Sequence, residues 1–368
     1  MHKSIHLKKS PGRILVISMR YLGDLMATTP LIHCLRAAYP DADIDVLAYS
    51  HTAPLLEGNP DIDRVIPTPM KPAPRDYWPL WKSLFRKYDL ALVPQSGNRR
   101  NFYAILAAPV RVLMVNKKPG KGWWKRIFGQ GWTEYDADNH TVHELLNFTK
   151  VLGIPALQTL IPPRPTVSKL ALPPEWEGRS YAVLHIHPQW RYKQWTLEGW
   201  IEIARHLQGL GLDLLFTGGP GTEEHDYIEA VRMHLPEPGK ILNLAGRPSL
   251  AALAELISRA KLFIGVDTGI THLAAATGTP VIALYGPTLP EKWGPWPANY
   301  TDAANPYRRV GSQQVSNIYL IQGEGDCVPC GHEGCDRHRQ SRSECLDTLP
   351  AEKVKPSIQK ALAQSGYL

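Results

Sequence analysis

Asp24, Lys193 and Asp267 are the residues whose surroundings in the sequence point most directly to chemistry. Asp24 follows the apolar run Arg13–Ser18 and opens a helical pattern. A carboxylate there, at the carboxyl end of a strand, can face a ligand and take a proton from a hydroxyl. It could equally cap the helix. Arg20 lies beside it, and Gly23 permits a tight turn. Arg191 and Lys193 follow the run Tyr181–Ile186. Cations at a strand end can neutralise a pyrophosphate as it leaves, or belong to a solvated basic loop.

In Leu262–Thr288 a buried strand pattern runs into Asp267-Thr268-Gly269, then a short helix, then a second strand at Val281–Tyr285. Unpaired N–H groups and the helix dipole favour an anion at such a helix start. Thr268 adds a hydroxyl and Gly269 admits close approach. Asp267 has the wrong sign for a phosphate and suits sugar hydroxyls, or caps the helix. His272 stands one turn further on, where a structural role is the commoner one. The loop Thr217-Gly218-Gly219-Pro220-Gly221 leads to Glu223 and Glu224. Its glycines admit a nucleotide, and one of these carboxylates could take ribose hydroxyls while the other, or both, cap a helix.

Two further groups invite other chemistry. Cys327, Cys330, Cys335 and Cys345 gather four of the five cysteines, with His332 and His338 among them. Such a cluster suggests a structural tetrahedral Zn²⁺, though free thiols or a disulfide are also open. It is expected outside the catalytic region. The pairs Asp41/Asp43, Asp61/Asp63 and Asp136/Asp138 could bind Mg²⁺ or Mn²⁺, but each sits in a connector and reads as a surface turn.

The elements that must position these residues alternate strand and helix. Arg13–Ser18, Ile44–Tyr49, Arg64–Ile66, Asp89–Val93 and Val110–Val115 read as strands, with helices between. A proline-rich stretch around residues 155–179 interrupts the pattern, which then restarts. The expectation is α/β: a first domain over 12–160, a second over 180–348, and a last helix in 349–368. The first turn has one glycine, not GxGxxG, which argues against a dinucleotide oxidoreductase.

Composition narrows the class. With 368 residues, 43% hydrophobic and 20% charged, the chain is globular and long enough for two domains. The net charge of +7 is uneven. Residues 1–165 hold 22 basic and 13 acidic side chains, and the remaining 19 and 21, so the halves carry +9 and −2. Within Lys71–Arg126 the counts are 13 and 2. There Arg75, Lys82, Arg86, Lys87, Lys117, Lys118, Lys121, Lys125 and Arg126 mingle with Trp78, Trp81, Trp123 and Trp124. No nucleic-acid motif accompanies them, and they suit an anionic membrane surface. The N-terminus reads as a loose tail without a secretory pattern, and no apolar run is long enough to span a bilayer, so a cytosolic protein is expected.

The stretches GVDTGITHLAAATGTPVIALYGPT with Lys292-Trp293-Gly294-Pro295-Trp296, and Arg20-x-x-Gly23-Asp24, resemble glycosyltransferase family 9, the bacterial lipopolysaccharide heptosyltransferases. The resemblance spans about residues 12–300 and is strongest for the heptosyltransferase III type. It implies the GT-B architecture, two Rossmann-like domains facing across a cleft, with the last helix returning to the first domain. It implies inverting transfer of heptose from ADP-L-glycero-D-manno-heptose to the lipid-linked core oligosaccharide, at the inner face of the cytoplasmic membrane. Asp24 becomes the general base, with Gly23 and Arg20 on the acceptor side. Lys193, Arg191, Glu223, Asp267, Thr268, Gly269 and His272 bind the donor, with Lys193 also catalytic. No catalytic cofactor is implied. A same-fold enzyme for another nucleotide-sugar, or a non-catalytic oligosaccharide or membrane binder, are the competing readings.

Overall fold

The computed structural model describes residues 2–117, 120, 123–166 and 172–368. Lys118 and Lys121 of the basic stretch, and 167–171 of the proline-rich one, lie outside the described residues. The chain forms two compact units, Met1–Pro163 and Arg164–Leu368.

The first unit holds β1 (His2–Lys3), β2 (Arg13–Ile17), β3 (Asp43–Tyr49), β4 (Arg64–Thr68), β5 (Leu90–Val93), β6 (Val110–Val115) and β7 (Gly131–Glu134). They form one sheet ordered β1-β7-β6-β5-β2-β3-β4, parallel except at β1. The runs Ile14–Ile17 and Leu90–Val93 are buried throughout, which is why they lack apolar–polar alternation. The core gathers Leu15, Ile17, Leu47, Val93 and Tyr103. The expected loose tail is instead structured: His2 and Lys3 pair with Thr133 and Trp132, and Ile5 N–H donates to Val151 O at 3.0 Å.

The second unit holds β8 (Tyr181–His185), β9 (Asp213–Thr217), β10 (Ile241–Asn243), β11 (Leu262–Val266), β12 (Val281–Tyr285), β13 (Gln313–Val315) and β14 (Ile318–Gln322). Their order is β10-β9-β8-β11-β12-β14-β13, antiparallel only between β13 and β14. Gly265 of β11 pairs with His185 of β8, which pairs with Thr217 of β9. Three loops therefore leave one sheet edge side by side. The helix Leu250–Arg259 shows local coding well. Ser249 caps it, accepting from Ala252 N at 3.2 Å, and Leu253, Leu256 and Ile257 form its buried face.

Residues 349–368 were expected to pack on the first domain. The helix Ala351–Gln364 buries Val354, Ile358, Ala361 and Leu362 in the second unit's core, beside Trp200 and Leu207.

Candidate active site

In the second unit, the loop after β8 is pinned by Trp195. This ring is fully buried, its Nε1 donates to Leu349 O at 2.9 Å, and it packs edge-on to Trp200 with centroids 5.1 Å apart. A Cβ on Gly199 would lie 2.5 Å from the ring, so only glycine fits beneath it. The anchor presents Lys193, two residues earlier, to the next strand. Lys193 Nζ lies 2.7 Å from Asp267 Oδ2, with both side chains largely buried. Burial works to raise the Asp267 carboxyl. Lys193, aided by a Thr288 hydrogen bond and by His272, outweighs it and holds the group below the ordinary carboxylate value.

Asp267 therefore does not cap the helix Gly269–Ala276. Thr268 does, its hydroxyl accepting from Thr271 N at 3.4 Å. Thr268, Gly269 and His272 thus stand at a helix start beside a buried ion pair. Tyr285 lies on the other side, its ionisation pushed far up by burial and then by Asp267. Arg191 is exposed and has no ion pair among the described residues.

The loop after β9 separates the two glutamates. Glu224 accepts from Gly219 N–H, and a Cβ on Gly219 would meet its Oε1 at 2.6 Å. The glycine there makes room for this carboxylate. Glu223 is left exposed, 3.9 Å from His187 Nε2. His187 itself was not foreseen. Its ring stands edge-on to Tyr227 at 5.3 Å, and its Nδ1 is buried without a hydrogen-bond partner among the described residues. Below it, His185 is buried with Nδ1 3.0 Å from Thr217 Oγ1. Burial lowers its pKa to about 4, so it is neutral near pH 7.

In the first unit, Asp24 lies within the short helix Leu22–Met26, whose cap position is Tyr21. It is not a capping residue. Its Oδ1 meets Arg20 Nη2 at 2.9 Å. Gly23 lies in the same helix without a positive φ, so the expected tight turn does not use its freedom. Thr28 Oγ1 donates to Asp24 O at 3.0 Å and sits 3.0 Å from Ser18 Oγ, fixing the helix to the end of β2. Arg99 and Arg100, which the sequence did not single out, converge on Tyr49 OH at 3.3 and 3.4 Å, and Arg100 also donates to Met19 O at 2.8 Å. Their only advance signal is an adjacent basic pair after β5.

The aspartate pairs serve local structure. Asp63 accepts from Arg36 and from Ile44 N, Asp136 pairs with Lys117 at 2.9 Å, and Asp61 meets His33 at 2.9 Å. Asp61 is buried, not a surface turn. No group of three or more His, Cys, Asp or Glu among the described residues is arranged to hold a metal. All five cysteines are free, and Cys345 is pushed up to about 12 by burial and by Cys330, Cys335 and Cys327 nearby. In the basic stretch, Trp78 and Trp123 are 72% and 63% exposed. Lys125 is buried, and Arg126 pairs with Glu134 at 2.8 Å, so the free positive surface is smaller than the count suggests. No helix among the described residues is long and apolar enough to cross a membrane.

Comparison with known proteins bears on what this arrangement is. The family profile described as glycosyltransferase family 9 (heptosyltransferase) matches residues 78–318. The chain is 30% identical over 366 residues to lipopolysaccharide heptosyltransferase 3 of Escherichia coli, covering 94% of this chain and 98% of that protein. It is 26% identical to lipooligosaccharide heptosyltransferase 2 of Haemophilus influenzae, covering 94% and 99%. The E. coli heptosyltransferase WaaC, solved with ADP, has a similar fold: TM-score 0.71 at 21% identity, covering 95% of this chain and 99% of that one. The GT-B fold expected from the sequence is the fold found. The chain belongs to glycosyltransferase family 9, the heptosyltransferase family.

Proposed function

We propose that the protein transfers a heptose from ADP-L-glycero-D-manno-heptose to a hydroxyl of the lipopolysaccharide inner core, inverting the anomeric carbon. The observation that carries this reading is the buried Lys193–Asp267 pair beside the helix start at Thr268 and Gly269. It joins a cation for a pyrophosphate to an acceptor for sugar hydroxyls. The names of the relatives supply heptose and lipopolysaccharide, and the WaaC structure supplies ADP.

Asp24 takes the proton of the acceptor hydroxyl as its oxygen bonds to the anomeric carbon. The bond from that carbon to the β-phosphate oxygen breaks, and its electron pair leaves with ADP through an oxocarbenium-like state. Lys193, Arg191, Thr268 and the N–H groups at Gly269 stabilise the departing charge, with His272 beside them. Asp267 orients the sugar and Glu223 takes the ribose. No cofactor enters the chemistry, and a metal at the cysteines would be structural. The acceptor is lipid-linked, and the exposed Trp78 and Trp123 with their basic neighbours hold the protein on the anionic inner face of the cytoplasmic membrane. Mass spectrometry of lipopolysaccharide from a strain lacking the protein tests the whole reading. Loss of one heptose is expected, and an unchanged core would sink it.

A further inference from the structure

The sheet of the first unit changes direction beside β2. From β2 the chain runs outward through β3 and β4, then returns to β5 on the other flank and runs outward through β6 and β7. Loops that leave the carboxyl ends of β2 and β5 therefore diverge, and such a switch point is where open α/β sheets take ligands. Three arginines stand at this edge: Arg20 after β2, and Arg99 and Arg100 after β5. Tyr49, the last residue of β3, joins them.

Hydrogen bonds hold them together. Arg99 and Arg100 both donate to Tyr49 OH, at 3.3 and 3.4 Å. Arg99 also donates to Met70 O at 2.9 Å. Arg100 donates to Ser96 O at 3.0 Å and to Met19 O, one residue before Arg20, at 2.8 Å. A Cβ on Gly97 would lie 2.6 Å from Arg100 Nη1, so the glycine leaves this guanidinium its place.

Charge at this edge is out of balance. Asp24 meets Arg20 at 2.9 Å, but no carboxylate pairs with Arg99 or Arg100 among the described residues. Two of the three positive charges are left uncompensated. Both belong to the first turn of the helix Asn98–Ala107, where the helix dipole disfavours cations and no acidic residue offsets them. Tyr49 is buried, and its hydroxyl accepts from both arginines while its own proton meets no acceptor among the described residues. Arg100 Nε is likewise buried without a partner among them. This is the arrangement of a site that lacks its anion.

We propose that Arg20, Arg99, Arg100 and the Tyr49 hydroxyl bind a phosphate monoester carried by the acceptor, close to the hydroxyl that takes the heptose. The assignment to the acceptor rests on the reading of Asp24 as the base, because Arg20 ties the cluster to it. A phosphate monoester brings about −1.5 to −2 charge near pH 7 and three acceptor oxygens. It matches two uncompensated guanidiniums in charge, and their planar forks in geometry. A carboxylate brings one charge and leaves a guanidinium unpaired.

Inorganic phosphate is the probe, read by calorimetry with ADP saturating so that the donor's own phosphate positions are filled. This arm needs no heptose transfer and fails or holds apart from the functional reading. The native chain should bind phosphate at about millimolar strength or tighter, as two charge-assisted pairs allow, and acetate at least about tenfold more weakly. Arg99→Gln with Arg100→Gln should weaken phosphate by about 10–100-fold and leave ADP affinity unchanged. No phosphate bound by the native chain, or equal binding by the double variant, would overturn the site. Acetate bound as tightly as phosphate would replace the monoester by a carboxylate. The second arm compares heptose transfer to core oligosaccharide before and after phosphatase treatment. Treatment should cut kcat/KM of the native enzyme by about 10–100-fold and barely change the low value of the double variant. An equal cut in both, or none in the native enzyme, would refute the link to the acceptor. Phosphate bound without transfer to either oligosaccharide would sink the functional reading, and with it the acceptor as carrier. If the double variant does not fold, Tyr49→Phe, which removes one hydroxyl, should still weaken phosphate at least about threefold, and unchanged affinity would count against the site.

Discussion

Lys193 Nζ and Asp267 Oδ2 stand 2.7 Å apart at the ends of neighbouring parallel strands, both largely out of water. Each neutralises the other, and in the proposed reaction the donor pyrophosphate competes for the lysine. Lys193→Met removes that cation and leaves a buried carboxylate with only Thr288 and His272 to support its charge, a change that costs about 3–5 kcal/mol in comparable pairs. The melting temperature should fall, and ADP affinity should drop by about 10–100-fold, the worth of a charge-assisted contact. Adding Asp267→Asn should restore stability and leave ADP binding weak. Calorimetry with ADP beside thermal melts of all three proteins checks this, and stability lost further in the double variant would contradict it.

Asp267→Asn alone separates nucleotide from sugar. It removes an anion from beside the phosphates, so ADP should bind as well as before or better. The intact nucleotide-sugar should suffer in kcat/KM by about 10–100-fold, because its hydroxyls lose a charged acceptor. Equal losses for ADP and for the nucleotide-sugar would assign Asp267 to positioning Lys193 and nothing more.

Asp24→Asn keeps size and most hydrogen bonding but cannot take a proton. A kcat lower by about 10²–10⁴ is expected, with ADP affinity unchanged. Steady-state kinetics and calorimetry on one preparation decide it. Retained kcat with lost ADP binding would reassign the residue to holding its short helix against Arg20.

His185 should make the second unit sensitive to mild acid. Burial lowers its pKa from 6.5 to about 4, so the unfolded chain binds a proton that the folded one refuses. The resulting penalty is absent above pH 6.5 and grows by about 1.4 kcal/mol per pH unit down to about pH 4. His185→Gln should flatten that part of the stability curve. Urea melts of both proteins at pH 7.5, 6 and 5 would show it, and parallel curves would count against it.

Membrane attachment should depend on charge and on two exposed rings. Vesicles with anionic lipid should bind the protein at about 0.1 M salt and release it near 1 M, as the screening length shrinks from about 10 to 3 Å. Trp78→Ala with Trp123→Ala should weaken binding at low salt without altering melting, since both rings are exposed. Sedimentation that ignores salt and lipid charge would remove this account.

The sequence by itself determined the elements whose pattern is local. Buried parallel strands such as Ile14–Ile17 and Leu262–Val266 are unbroken apolar runs, and Leu250–Arg259 carries its own cap and period. The motifs around Asp24 and Asp267 were legible for the same reason, as fixed spacings along one stretch. Short strands at or next to a sheet edge were not: β1 and β13 at edges, and β7 and β14 beside them, owe their form to a partner more than to their own residues. Tertiary structure alone decided which groups meet. The register of β8, β9 and β11 joined Lys193 to Asp267, and the fold of one loop onto Glu224 left Glu223 free beside His187. It also sent the last helix into the second unit, because an amphipathic stripe requires an apolar partner but does not name one.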